Sequence, residues 1–78
     1  MTQDPSPFER SQLSGRYTES GITVIVEIFR RTGSDHWQME VASLEEQVTD
    51  WTDSFASAQE AWEEFIYVIN TEGIGVFL

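Results

Sequence analysis

Imidazole chemistry is the first possibility that the sequence raises. His36 is the single histidine, and such a side chain can bind a metal or move a proton near neutral pH. Asp35 is adjacent to it, and Glu40 lies on the same strand face but about 13 Å away, too far for two ligands of one ion. The chain also has no cysteine that could supply a thiolate. We therefore predict no metal site and interpret His36 as a surface residue beside a turn.

Acidic residues are the second group that could do chemistry. Asp50 and Asp53 are spaced so that a strand would place them on opposite faces. Glu60, Glu63 and Glu64 are neighbours on a predicted helix, but their face lacks the apolar surroundings that turn one carboxylic acid into a proton donor. No serine or threonine is spaced with the histidine as in a catalytic triad, and the five glycines form no phosphate-binding loop. We predict no catalytic residue, no cofactor and no enzymatic activity.

A period of two residues indicates that a β-sheet carries many of these groups. The segment from Ile22 to Arg31 is dense in β-branched and aromatic residues and predicts a first strand. Residues 32–35 have the composition of a turn. The alternation from His36 to Ser43 predicts a second strand, and Val48 to Phe55 predicts a third, with a bulge or a strand end at Asp53.

A helix is predicted after the third strand. Ser57 and Glu60 fit a capping box, which marks a helix start. Helical spacing then gives one apolar stripe, formed by Ala58, Ala61, Trp62, Phe65, Ile66, Val68 and Ile69. Gly73 predicts the helix end, after which residues 74–78 either close the core or add a short C-terminal extension strand. The predicted fold is α+β: a three-stranded antiparallel meander with one C-terminal helix packed on one face, β-β-β-α.

Length and composition indicate one domain. A chain of 78 residues supports one hydrophobic core, which we place in residues 15–78. Residues 1–14 hold both prolines and few large apolar groups, so we predict a disordered N-terminal tail there.

The start of the sequence lacks a signal-peptide pattern, and no apolar run approaches the ~20 residues of a membrane helix. We expect a cytoplasmic protein without a membrane partner.

The charge is distributed unevenly along the chain. Residues 1–34 hold four acids and four arginines, whereas residues 35–78 hold ten acids and no lysine or arginine, so the whole net charge of −10 lies there. Such a surface repels phosphate backbones, and we expect no binding of nucleic acid. Self-repulsion of the acids also disfavours folding, which points to a protein partner with a basic surface.

Two surfaces are candidates for contact with such a partner. The first is the polar face of the helix, formed by Glu60, Glu63, Glu64 and Tyr67, which suits arginine-rich surfaces through charge pairing and cation–π contact. The second is the sheet face that a single helix cannot cover, where Ile25 and Phe29 lie together.

These features predict a non-enzymatic protein–protein interaction module that is a monomer or a weak homodimer. Two alternatives stay open. One is a nucleic-acid mimic, in which carboxylates spaced like phosphates inhibit a DNA-binding protein. The other is a small-molecule-binding domain, which requires a pocket of roughly 300 Å³ or more between helix and sheet.

Overall fold

Five strands and two helices make up the computed structural model, which describes residues 7–78. In chain order they are β1 (Phe8–Arg10), β2 (Gly15–Glu19), β3 (Ile22–Arg31), β4 (Gln38–Ser43), β5 (Val48–Asp50), α1 (Ala58–Glu72) and a 3₁₀ helix (Ile74–Phe77). All paired strands are antiparallel, and β4 lies between β3 and β5. β1 and β2 follow one another along the opposite edge of β3.

The predicted fold class is confirmed in its coarse form, but the predicted number of strands is wrong. The protein is α+β, with an antiparallel sheet and one C-terminal α-helix, yet the sheet has five strands rather than three. The additional strands are β1 and β2, which have three and five residues. Segments this short carry too little periodicity to be recognised, and they pair because β3 offers backbone groups along an open edge.

The tail predicted over residues 1–14 overlaps with β1. Its residues 1–6 lie outside the described residues. From Phe8 onwards the chain pairs with the end of β3, with Phe8 opposite Arg31 and Glu9 opposite Arg30. An ion pair of 2.8 Å between Arg30 Nη2 and Glu9 Oε2 links the two strands. β1 is therefore part of the sheet.

A bulge separates β1 from β2. Residues 11–14 turn away from the edge of β3, and the Ser14 N–H donates to the Ser11 carbonyl at 3.1 Å. The Ser14 hydroxyl accepts a hydrogen bond from the Ile28 N–H at 2.9 Å and donates one to the Ile28 carbonyl at 3.0 Å. Because an unpaired backbone donor inside a sheet is costly, this side chain takes the place of the strand backbone that the bulge removes.

A two-residue turn holds β2 against β3. Ser20 and Gly21 both have positive φ, 53° and 77°, which is the pattern of a type I′ hairpin turn. This turn matches the right-handed twist of paired strands, and it sets the register in which Tyr17 lies opposite Val24. The ring of Tyr17 is thereby brought to the side of the sheet on which the core forms.

The second and third predicted strands are shorter than expected. β4 begins later, at Gln38, and β5 ends earlier, at Asp50. Trp37 and Phe55 then form an isolated bridge with two backbone hydrogen bonds of 2.8 Å. The chain leaves the ladder after Asp50, three residues before the bulge or strand end predicted at Asp53. Asp53 lies in the exposed segment between β5 and the bridge at Phe55, because an aspartate between two large aromatics does not fit a half-buried strand.

The α-helix begins and ends where the sequence predicted. The Ser57 hydroxyl accepts from the Glu60 N–H at 3.1 Å, while the Glu60 carboxylate accepts from the Ala56 N–H at 3.0 Å rather than from Ser57. Gly73, with φ of 83°, follows the last turn and donates its N–H to the Ile69 carbonyl. Within residues 7–78, the helices lack the length and apolar character needed to cross a membrane.

The core lies between α1 and one face of the sheet. Its buried apolar residues are Val24, Val26, Ile28, Met39, Val41, Ala61, Phe65, Ile69, Ile74 and Phe77. The Phe65 ring is central, with ring centroids 5.0 Å from Tyr17 and 5.6 Å from Phe77. The 3₁₀ helix therefore closes the core, and no extension strand forms from its residues. Trp62, on the predicted apolar stripe, is only half-buried.

Candidate functional site

The sheet face turned away from α1 carries side chains from all five strands, and we refer to it as the outer face. The strand registers define its members, because residues directly opposite one another point to the same side. They are Phe8, Arg10, Arg16, Thr18, Thr23, Ile25, Glu27, Phe29, Arg31, Gln38, Glu40, Ala42, Val48 and Asp50. Ile25 and Phe29, the two sheet residues predicted as an interface, both lie on this face and are half-buried.

The outer face is ordered in rows that run across the strands. An apolar row joins Ile25 on β3, Ala42 on β4 and Val48 on β5, and Val48 is 60% exposed. The next row is acidic and consists of Glu27, Glu40 and Asp50 in the same three strands. This alternation gives the face apolar area beside a row of carboxylates, while Arg10, Arg16 and Arg31 lie at its β1, β2 and β3 positions and balance the three acids.

Beyond the acidic row, two phenylalanines form an aromatic corner. The ring centroids of Phe8 and Phe29 are 5.7 Å apart and their planes meet at 86°, an edge-to-face arrangement. They border a depression of about 310 Å³, which we call the aromatic depression; it is lined by Phe8, Arg10, Glu27, Phe29 and Glu40. Because it opens on the outer face, it does not provide the pocket between helix and sheet that the small-molecule hypothesis requires.

The charges of the aromatic depression are only partly paired. Arg10 forms a two-pronged contact with Glu27, with Nε to Oε2 at 2.6 Å and Nη2 to Oε1 at 3.2 Å. This hydrogen bond, and then the charge of Glu27, raise the pKa of Arg10 above its ordinary value, so the guanidinium stays charged. Glu40 lies directly opposite Glu27, and like charges in that position repel. In residues 7–78 the Glu40 carboxylate has no ion pair or hydrogen bond with another side chain.

The carboxylates of the predicted helix face make more contacts within the domain than the sequence indicated. Glu60 caps the helix through the Ala56 N–H, and Glu63 accepts from the Gln59 side chain at 3.3 Å. Glu64 accepts from the Trp51 indole N–H, also at 3.3 Å. Tyr67 is 62% exposed. The three carboxylates thus already have contacts within the domain, and an interface there stays a prediction.

The residues considered for metal or acid–base chemistry are dispersed in the structure. Among residues 7–78, no three side chains of histidine, cysteine, aspartate or glutamate are grouped so that they could hold a metal ion. His36 is exposed and borders a second, smaller depression of about 230 Å³. Asp50 belongs to the outer face, whereas Asp53 lies in the loop after β5.

Two residues of the aromatic depression were missed by sequence reasoning, namely Phe8 and Arg10, because they were assigned to the tail. The signal that could have found them is complementary charge rather than periodicity. On β1 and β3, Glu9 pairs with Arg30 and Arg10 pairs with Glu27. Each acid or base of β1 thus contacts a residue of opposite charge on β3.

Comparison of this chain with protein-family models, with curated proteins and with solved structures finds no match.

Proposed function

We propose that this protein is a non-enzymatic protein-binding module and that its partner docks on the outer face. The observation that carries the proposal is the ordered combination of an apolar row and an aromatic corner on the side of the sheet opposite α1. Apolar groups arranged together on a surface and surrounded by charged residues are typical of interaction sites. The cytoplasmic location and a state of monomer or weak homodimer remain part of the proposal.

The charge of the domain favours a basic partner. The net charge is −10. The three arginines of the outer face lie on β1, β2 and β3, so its β4–β5 side is acidic, with Glu40 and Asp50 directly opposite one another. A partner with arginine or lysine residues would relieve their mutual repulsion and would be attracted over a distance, which speeds association. A second copy of this chain would bring the same excess of acids and is less favoured.

Apolar contacts must supply most of the affinity. Exposed ion pairs contribute only about 0.2–1 kcal/mol each, while a micromolar complex needs about 8 kcal/mol. The row containing Ile25, Ala42 and Val48 offers the apolar area that the helix face lacks, since Tyr67 is the only member of that predicted face that is not acidic. This difference favours the outer face over the helix face.

The nucleic-acid mimic receives less support from the arrangement of the acids. Glu27, Glu40 and Asp50 lie on the outer face, whereas Glu60 and Glu63 lie on α1, across the sheet. A mimic of a phosphate backbone needs one continuous row of charges, and the acids are instead divided between the two sides of the domain.

Two double variants test the proposed docking face. Ile25→Thr with Val48→Thr removes apolar area from the outer face and keeps β-branched residues in both strands. Glu63→Gln with Tyr67→Ala alters the helix face and serves as the matched control. A partner captured with the wild-type protein from cell extract, then purified, should bind the first variant at least tenfold more weakly and the second within twofold, by isothermal titration calorimetry. The opposite pattern would move the interface to the helix face.

A further inference from the structure

We propose that the aromatic depression receives the guanidinium group of one arginine from the partner. This inference rests on the proposed function and names the chemistry of the contact. An arginine can stack on an aromatic ring while its N–H groups donate to a carboxylate. The depression supplies both kinds of contact, since Phe8 and Phe29 provide rings at 86° to each other and Glu40 provides the carboxylate.

The volume and the orientation of the walls suit a side chain rather than a larger ligand. At about 310 Å³ and open to the surface, the depression is at the lower end of the size of ligand sites. Two phenylalanine side chains line the depression, and a cation is attracted to the face of an aromatic ring. A planar guanidinium lying against one phenylalanine ring would direct its free edge toward the adjacent strand, where Glu40 lies opposite Glu27.

The ion pair of Arg10 and Glu27 decides the sign of the charge that remains. Arg10 also lines the depression, and an unpaired guanidinium there would repel an incoming one. Its two-pronged contact with Glu27, at 2.6 Å and 3.2 Å, neutralises both groups, so Glu40 is the one lining residue of the depression whose charge stays unpaired within residues 7–78. Arg31, opposite Phe8 on the same face, does not line the depression. Asp50, directly opposite Glu40 on β5, adds to the attraction for a cation.

The same protein already uses both contacts internally. The Arg30 guanidinium carbon lies 4.8 Å from the centroid of a Trp37 ring, and Arg10 binds a carboxylate through two of its nitrogens. In the aromatic depression the two types of acceptor, ring and carboxylate, occur together, while the one guanidinium present is bound to Glu27.

The probe for this inference is Nα-acetyl-L-arginine methylamide, with the citrulline analogue as its uncharged counterpart of nearly the same shape. NMR spectra of the full chain should show saturable shifts of the Phe8 and Phe29 ring signals and of the Glu40 side-chain carboxylate carbon with the arginine probe, at a millimolar Kd. The citrulline probe should bind at least fivefold more weakly. Glu40→Gln should weaken arginine binding at least fivefold. Glu45→Gln, which removes the same charge from an exposed turn residue, should change it less than twofold.

A second variant tests the part assigned to the ion pair. Glu27→Gln frees the guanidinium of Arg10 to contact Glu40, so we expect it to reduce arginine binding at least as much as Glu40→Gln does. Equal binding of the two probes, shifts centred on α1, or equal effects of Glu40→Gln and Glu45→Gln would each overturn the inference.

The outcome for the partner separates this inference from the proposed function. If Ile25→Thr with Val48→Thr weakens the partner but the arginine probe does not bind, the outer face remains the docking site and the arginine receptor is refuted. If the probe binds as expected but the affinity for the partner is unchanged in both the apolar double variant and Glu40→Gln, docking on the outer face is refuted.

Discussion

Replacement of Ser14 by alanine tests whether a side-chain hydroxyl stands in for strand backbone in this sheet. The hydroxyl both accepts from the Ile28 N–H at 2.9 Å and donates to the Ile28 carbonyl at 3.0 Å. The carbonyl would keep a second donor, the Ser11 N–H at 2.7 Å. The Ile28 N–H would have no replacement among these contacts, and it lies in the longest strand beside the core.

The expected cost follows from that single orphaned donor. Leaving a buried backbone donor unpaired costs about 1–3 kcal/mol. Because Ser14 is half-buried and water can reach part of the site, we expect the lower part of that range, about 1–2 kcal/mol. For a domain of this size each 1 kcal/mol lowers the melting temperature by about 4–8 °C, so the melting temperature of Ser14→Ala should fall by roughly 4–16 °C.

Thermal unfolding followed by tryptophan fluorescence measures this change, and amide hydrogen exchange locates it. The matched control is Ser11→Ala in the same bulge, where the lost bond is an exposed one from the Leu13 N–H at 3.0 Å. Water replaces that bond, so the control should cost less than about 0.5 kcal/mol. Faster exchange of the Ile28 amide should accompany Ser14→Ala alone. If Ser14→Ala and Ser11→Ala have the same melting temperature and the Ile28 amide stays protected from exchange, the Ser14 hydroxyl does not stabilise this strand.

Two further predictions concern the core side of the sheet. In a Tyr67→Phe variant, which leaves Tyr17 as the only tyrosine, ultraviolet titration should give a midpoint above 10.0, because burial and then the hydrogen bond to Glu19 raise the pKa of Tyr17. The corresponding stability is complete below about pH 10 and is lost as the pH rises through the raised pKa; a midpoint at or below 10.0 contradicts this. Phe65→Leu should lower the free energy of unfolding by about 1–3 kcal/mol in urea, and more than Trp62→Leu, because Phe65 is fully buried and Trp62 is not. Equal losses of unfolding free energy in the two variants would show that Phe65 is not the centre of the core.

Local signals were sufficient for several elements. The ten residues of β3 match the predicted strand from end to end, since their alternation is long and rich in β-branched side chains. The cap at Ser57 and the stop at Gly73 also lie where predicted, because capping depends on residues within one helical turn. The core stripe of α1 was read from the same periodicity and is confirmed by the burial of Ala61, Phe65 and Ile69.

Features that depend on contacts between distant parts of the chain could not be predicted from local patterns. β1 is too short to be recognised from its sequence. It pairs with the end of β3, from which it is separated along the chain by the bulge, by β2 and by the turn at Ser20 and Gly21. Closing the core was one of two alternatives predicted for residues 74–78. The structure closes it through a 3₁₀ helix, in which the Phe77 ring stacks on the Phe65 ring with centroids 5.6 Å apart. The third predicted strand ends at Asp50 instead of Phe55.

The sequence by itself therefore determined the uneven distribution of charge along the chain and the residues that alternate on β3 and α1, since these follow from composition and local spacing. Only the tertiary structure decided which groups share a site. It brought Phe8 and Arg10 beside Phe29 and Glu27 and left Glu40 without a partner among the described residues. The physical reason is that strand pairing joins residues far apart in the chain through backbone hydrogen bonds, which carry almost no trace in the side-chain pattern of either strand alone.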